Sequence, residues 1–155
     1  MIVGSHVGFK SEQLLGSVKE ALKYNANTFM FYTGAPQNTI RKEISAELTN
    51  EALELMQKNN ININNVICHA PYIINLANRE KEDAWNFSCS FLKQEIARIT
   101  KMGVNFMVVH PGNSLKIERS IALKNISDAI NFIIDNDTKP MILLETMAGK
   151  GTECG

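Results

Sequence analysis

The chain carries no excess charge of either sign, no long apolar run and very few cysteines, and each shortage excludes something. Lysine plus arginine number 16 and aspartate plus glutamate 16 in 155 residues, so the whole-chain field does nothing to draw in a polyanion. This counts mildly against nucleic-acid binding, yet a bound cation and a few loops can supply the local positive potential that the overall balance lacks. Cys68, Cys89 and Cys154 are odd in number and widely spaced, with no CxxC pair. Neither a disulfide framework nor a thiolate zinc site is expected from them, and they read as reduced structural residues. No segment approaches the roughly 20 apolar residues of a membrane-spanning helix, and Met1 to Val7 lacks the basic, apolar, small order of a secretory signal. A cytoplasmic protein with no membrane partner is expected. The stretch after the first candidate strand, GSHVGFKSE, is not a GxGxxG, which argues against an open dinucleotide-binding sheet.

What is present is a regular alternation. Apolar residues make up 45% of the chain, enough to bury one core, so residues 1–155 read as a single domain. Ile2 to Val7 is a short β-type run, and Leu14, Leu15, Val18, Ala21 and Leu22 fall on one helix face within Ser11 to Tyr24. Thr28 to Tyr32 reads as a second strand, followed by a turn-rich loop and a helix over Thr49 to Asn59 with Thr49 as its N-cap. Val66 to His69 is a third strand. Lys81 to Lys101 is helical by period and stops near Gly103. Phe106 to Val109, Arg119 to Asp135 and Met141 to Leu144, entered through Pro140, complete five strands and four helices. Strands that are continuous apolar runs, alternating with helices, indicate a parallel sheet covered by helices. Two architectures fit, an open doubly wound sheet or a closed α/β barrel, and the barrel is favoured.

Barrel enzymes gather their catalytic groups at the C-terminal ends of the strands. Those ends hold His6, the Phe31 to Thr33 segment, His69, His110 and Glu145. Each of the three histidines therefore ends a strand. His110 lies 41 positions after His69, and Glu145 lies 35 after His110, about one strand-helix unit each, so neighbouring strands can aim all three at one point. Two imidazoles and a carboxylate suit zinc. A lone histidine is more often a core residue bonded to backbone; the trio is what favours a metal. Strand alternation turns Cys68 away from His69, toward the helices. Trp85, Phe87 and Phe91 are expected to pack in the core. Glu43, Glu47, Glu51 and Glu54 with Lys42 and Lys58 read as a solvated face.

The segments GSHV (4–7), FYTGAPQNT (31–39), HAPYIINLA (69–77), VVHPGN (108–113) and LLETMAGKGTECG (143–155) together resemble the successive loops of the endonuclease IV family of apurinic endonucleases. The resemblance implies a (β/α)8 TIM barrel with a three-zinc cluster that hydrolyses the phosphodiester 5′ to an abasic site in base excision repair. It makes His69 and His110 ligands of one zinc and Glu145 the bridge to a second, with Glu145 central to catalysis. It places Gln37, Asn38, Tyr72, Gly112 and Asn113 against double-stranded DNA. Gly112, and with it Gly149 and Gly151, would let backbone approach a phosphate. His6 is expected to hold a ligand or a water and not the metal itself.

Members of that family run to roughly 280 residues and a (β/α)8 barrel to about 250. The last three strands and their ligands are thus missing from this sequence. The expectation is a fragment of a longer enzyme, holding at most part of the zinc site, inactive alone and prone to self-association through its open strand edges, where the complete form would be a monomer. Two other readings remain: a sugar isomerase or epimerase of the same barrel class, and a non-catalytic zinc- or DNA-binding product.

Overall fold

The computed structural model describes residues 1–155. Five strands form one parallel sheet in chain order: β1 (Gly4–His6), β2 (Thr28–Phe31), β3 (Ile67–His69), β4 (Phe106–Val109) and β5 (Met141–Leu144). The crossovers carry α1 (Gln13–Lys23), α2 (Ala46–Lys58), α3 (Glu82–Lys101) and α4 (Arg119–Ile133). β4 and β5 coincide with the apolar runs at both ends. β1 is shorter than the run Ile2 to Val7; as an edge strand it has one neighbour, and its residues are exposed throughout.

The strands alternate. Phe29, Phe31, Cys68, Met107 and Val109 are buried in the same core as Leu14, Val18, Ala52, Leu92, Ile99 and Ala129 of the helices, while Thr28, Met30, Ile67, Phe106 and Val108 face the other side and remain partly open. Cys68 points to the helices, as alternation requires. α1 buries Leu14, Leu15, Val18 and Ala21, residues three and four apart on one stripe.

Two expectations are corrected. α2 begins three residues before Thr49: Ser45 is the N-cap, its hydroxyl accepting from the Leu48 N–H at 3.2 Å. Thr49 instead lies buried inside the helix and donates its hydroxyl to the Ser45 carbonyl. Phe87 is not core, being 45% exposed and stacked on the outside of buried Phe91. Trp85 does pack inside, its indole N–H donating to the Leu76 carbonyl at 3.0 Å. The charges of Lys42 to Lys58 are solvated as the pattern suggests.

One buried polar cluster ties α3 to the loop after β2. Glu95, fully buried on α3, accepts from the Arg41 Nε at 2.7 Å and from the Thr33 hydroxyl at 2.6 Å. Arg98, also buried, donates to the Thr33 hydroxyl and carbonyl and to the Lys42 carbonyl. One carboxylate thus compensates two desolvated cations. Removing it leaves both unpaired, so Glu95→Ala is expected to cost about 3 to 5 kcal/mol, read as a shift in the urea unfolding midpoint; a loss under about 1 kcal/mol, the worth of a surface pair, would contradict this picture.

The three cysteines are free and buried. Burial pushes the Cys68 thiol well above its usual value and that of Cys89 to about 11, so little reactive thiolate forms. Brief iodoacetamide treatment at pH 8 should leave the folded chain unmodified and label all three sites in urea, as read by mass spectrometry.

Candidate metal centre

Parallel pairing sets the C-terminal ends of β3, β4 and β5 side by side. His69 pairs with Val108, and Val109 with Leu144. The ladder runs one step further, with the Ala70 N–H on the Val108 carbonyl at 2.8 Å and the Glu145 N–H on the Val109 carbonyl at 3.0 Å. His69, His110 and Glu145 therefore emerge at one level. Nε2 of His69 and Nε2 of His110 each lie 3.0 Å from the same Glu145 oxygen, Oε2. The three donor atoms are all within 4.8 Å of one another.

This donor set fits a cation. Nδ1 of His69 is 2.7 Å from the Ala70 carbonyl, a contact that only a protonated Nδ1 can make favourable. In the neutral ring Nε2 then carries its lone pair toward the carboxylate. Lone pair facing anion is repulsive unless a proton or a metal ion lies between. Holding such an ion at the usual distance of about 2 Å requires the two imidazoles to draw in slightly, since donor atoms up to 4.8 Å apart exceed twice that distance. His69 is buried, whereas the side chains of His110 and Glu145 are 30% and 39% exposed, so the centre is anchored on one side and open on the other.

His6 does not touch the trio through a hydrogen bond. Its ring lies 4.8 Å from that of Tyr32, which in turn lies 5.0 Å from the His69 ring and edge-on to Tyr72 at 5.9 Å. The group that orients His69 is the Ala70 carbonyl. Burial and then the neighbouring His69 lower the pKa of His6, so it is neutral at pH 7. Burial, reinforced by Tyr72 and Glu145, raises that of Tyr32, which stays a phenol. Tyr32 is the neighbour that sequence reasoning named only as part of a segment. Period-two alternation pointed to it: Phe29 and Phe31 face the helices, so Tyr32 takes the His69 side.

The remaining residues singled out lie on the loops around this centre. Tyr72 is 53% exposed beside it. Gln37 is exposed and Asn38 partly so in the loop after β2. Gly112 has φ +121°, and a Cβ there would meet the Asn75 Oδ1 at 2.2 Å. The close approach that demands glycine is therefore made by Asn75 of the protein itself. Asn75 also accepts from the Asn113 N–H and donates to its carbonyl, locking the loop after β3 to that after β4. The side chain of Asn113 faces solvent. Gly149 and Gly151 have positive φ and open space around them.

A parallel α/β sheet with histidines and a carboxylate clustered at its strand ends is the arrangement of a barrel-type protein with a candidate metal site. The chain belongs to the xylose isomerase-like TIM-barrel family, whose model matches residues 18–155, and the five strands and four helices are an incomplete barrel of that kind. It is 48% identical over 159 residues to a probable endonuclease 4 of Mesoplasma florum, covering 99% of this chain and 54% of that protein. With a probable endonuclease 4 of Acholeplasma laidlawii it shares 52% identity, covering 100% of this chain and 53% of that protein. The resemblance read from the loop motifs is thus borne out by its relatives. Among solved structures, endonuclease IV from Thermus thermophilus has a TM-score of 0.75 at 21% identity, covering 99% of this chain and 55% of that one. A D-tagatose 3-epimerase-like protein has a TM-score of 0.68 at 19% identity, covering 97% and 55%. These two likenesses speak for the fold. The chain spans about half the length of the curated relatives it matches.

His110→Ala should weaken divalent-metal binding by more than about a hundredfold, because changing a group that only supports a ligand already costs 10 to 100-fold. Titration with cobalt or zinc measures this, and an unchanged dissociation constant would remove His110 from the centre.

Proposed function

We propose that the chain is part of a zinc-dependent endonuclease that hydrolyses DNA 5′ to abasic sites in base excision repair, acting in the cytoplasm on double-stranded DNA. The observation that carries this reading is the convergence of both Nε2 atoms on one Glu145 oxygen at 3.0 Å, in a chain whose relatives are named probable endonuclease 4. His69 and His110 would hold one zinc and Glu145 would bridge it to another, out of three in the complete site. Zinc, when bound, supplies Lewis acidity toward phosphate oxygens and water near neutral pH.

The residues of this chain do the rest. The Ala70 carbonyl fixes the His69 tautomer, keeping Nε2 available. Glu145 brings negative charge to offset clustered cations. Tyr72, exposed beside the centre, would stack on or flank the extruded nucleotide, and extrusion is cheapest where a base is already missing. Gln37 and Asn38 would reach the duplex from the second loop. Gly112 and Asn113 would present backbone and side chain to a phosphate from the fourth, held in place by Asn75. Neutral His6 and Tyr32 wall the site, Tyr32 packing between the His69 and Tyr72 rings.

Glu145→Gln in the complete gene product should keep the fold, because the side chain is partly exposed and isosteric, yet lower nicking of an abasic-site duplex by at least about a hundredfold. Near-normal turnover would refute the role given to Glu145. A ketose-epimerisation assay on the unaltered protein should be negative.

A further inference from the structure

The segment between Tyr32 and Ser45 has neither helix nor strand, and within its tip, residues 34–41, a single backbone hydrogen bond forms, from the Asn38 N–H to the Ala35 carbonyl at 3.4 Å. A loop of this length in a compact protein is either loose or held from outside. Arg41 holds it. Its Nη1 donates to three carbonyls of the same loop, those of Ala35 at 3.3 Å, Asn38 at 3.2 Å and Ile40 at 2.9 Å. Its Nε donates to Glu95 at 2.7 Å, and its guanidinium lies 5.0 Å from the centroid of the Phe91 ring. Gly34 leaves the room for this: a Cβ there would stand 2.8 Å from Nη1. The two ends of the loop are fixed to the same helix, Thr33 by Glu95 and Arg98, and the Lys42 carbonyl by Arg98.

We infer that Arg41 is a positioning residue: it folds the 35–40 turn around one buried guanidinium and so sets Gln37 and Asn38 for the DNA, with α3 as the anchor. The inference rests on the DNA contact proposed above for Gln37 and Asn38. Three carbonyls gathered on one nitrogen, with the neighbouring Nε on a carboxylate, use the fixed fork of arginine; the single ammonium of lysine cannot reach all four acceptors. The clamp organises a binding loop away from the metal donors, so it should affect capture of substrate more than turnover.

Arg41→Lys in the complete gene product tests this, since it keeps a cation beside Glu95 and avoids stranding that carboxylate. Hydrogen exchange should accelerate at the two bonded amides of the turn, Asn38 on the Ala35 carbonyl and Ile40 on the Asn38 Oδ1, while amides of β3 and β4 keep their protection. The KM for an abasic-site duplex should rise roughly tenfold, with kcat and zinc content unchanged. Unchanged exchange in the loop, or acceleration spread evenly over the chain, would overturn the inference, and so would a fall in kcat with KM intact. A Gln37→Ala, Asn38→Ala double variant separates the two layers. If it binds the duplex normally while Arg41→Lys still loosens the loop, the proposed DNA contact fails and the clamp stands. If it binds weakly while Arg41→Lys does not, the clamp is not what positions the loop.

Discussion

Parallel strand pairing is the constraint on which the site depends. In an antiparallel sheet, successive strand ends alternate between opposite edges; here every strand runs the same way, so β3, β4 and β5 finish at one level. The side-chain period of two then decides direction. His69 faces away from the helices because Cys68 faces them. His110 and Glu145 stand immediately beyond their strands, and the continuing ladder bonds of Ala70 and Glu145 hold their backbone in step with the sheet. A register slip of one residue between β4 and β5 would turn Glu145 from the histidines.

Within that frame the electrostatics are local. The chain as a whole is neutral, and the centre gathers two imidazoles around one carboxylate oxygen. His69 is committed to one tautomer by the Ala70 carbonyl, so the geometry is complementary to a cation and poor without one. His6 and Tyr32 are both kept uncharged near neutrality by burial and by their neighbours, and the wall they form adds no competing charge. The proposed endonuclease activity would therefore draw its positive potential from bound metal, not from a basic surface.

Stability and function meet at α3. Its apolar face packs in the core, but its buried Glu95 and Arg98 reach across more than fifty residues of sequence to Thr33, Arg41 and Lys42. Buried charge of this kind is costly unless every partner is present, and what it secures is the shape of a loop with almost no backbone bonding of its own. The loop after β4 is secured differently, through Asn75 and a glycine that no other residue could replace at φ +121°.

The sequence by itself determined the class of fold, because runs of apolar residues alternating with helical periods admit little but a parallel sheet under helices, and β4 and β5 were legible to the residue. It also singled out His69, His110 and Glu145 as candidate metal donors from their places at strand ends, and the structure brings their donor atoms within 4.8 Å of one another. What it left open were helix starts and long-range polar partners. The spacing of residues put the start of α2 at Thr49, but Thr49 is buried inside the helix and the cap is Ser45, four residues earlier. Phe87 and Phe91 share a helical stripe four residues apart, and only the width of the core decided that Phe91 is inside and Phe87 out. Arg41, Glu95 and Arg98 look like ordinary surface charges in a helix and a loop. Their convergence is a tertiary fact, because no local pattern records which distant carboxylate a guanidinium will meet, and the same holds for Tyr32, whose role appeared once the sheet placed it between two histidines.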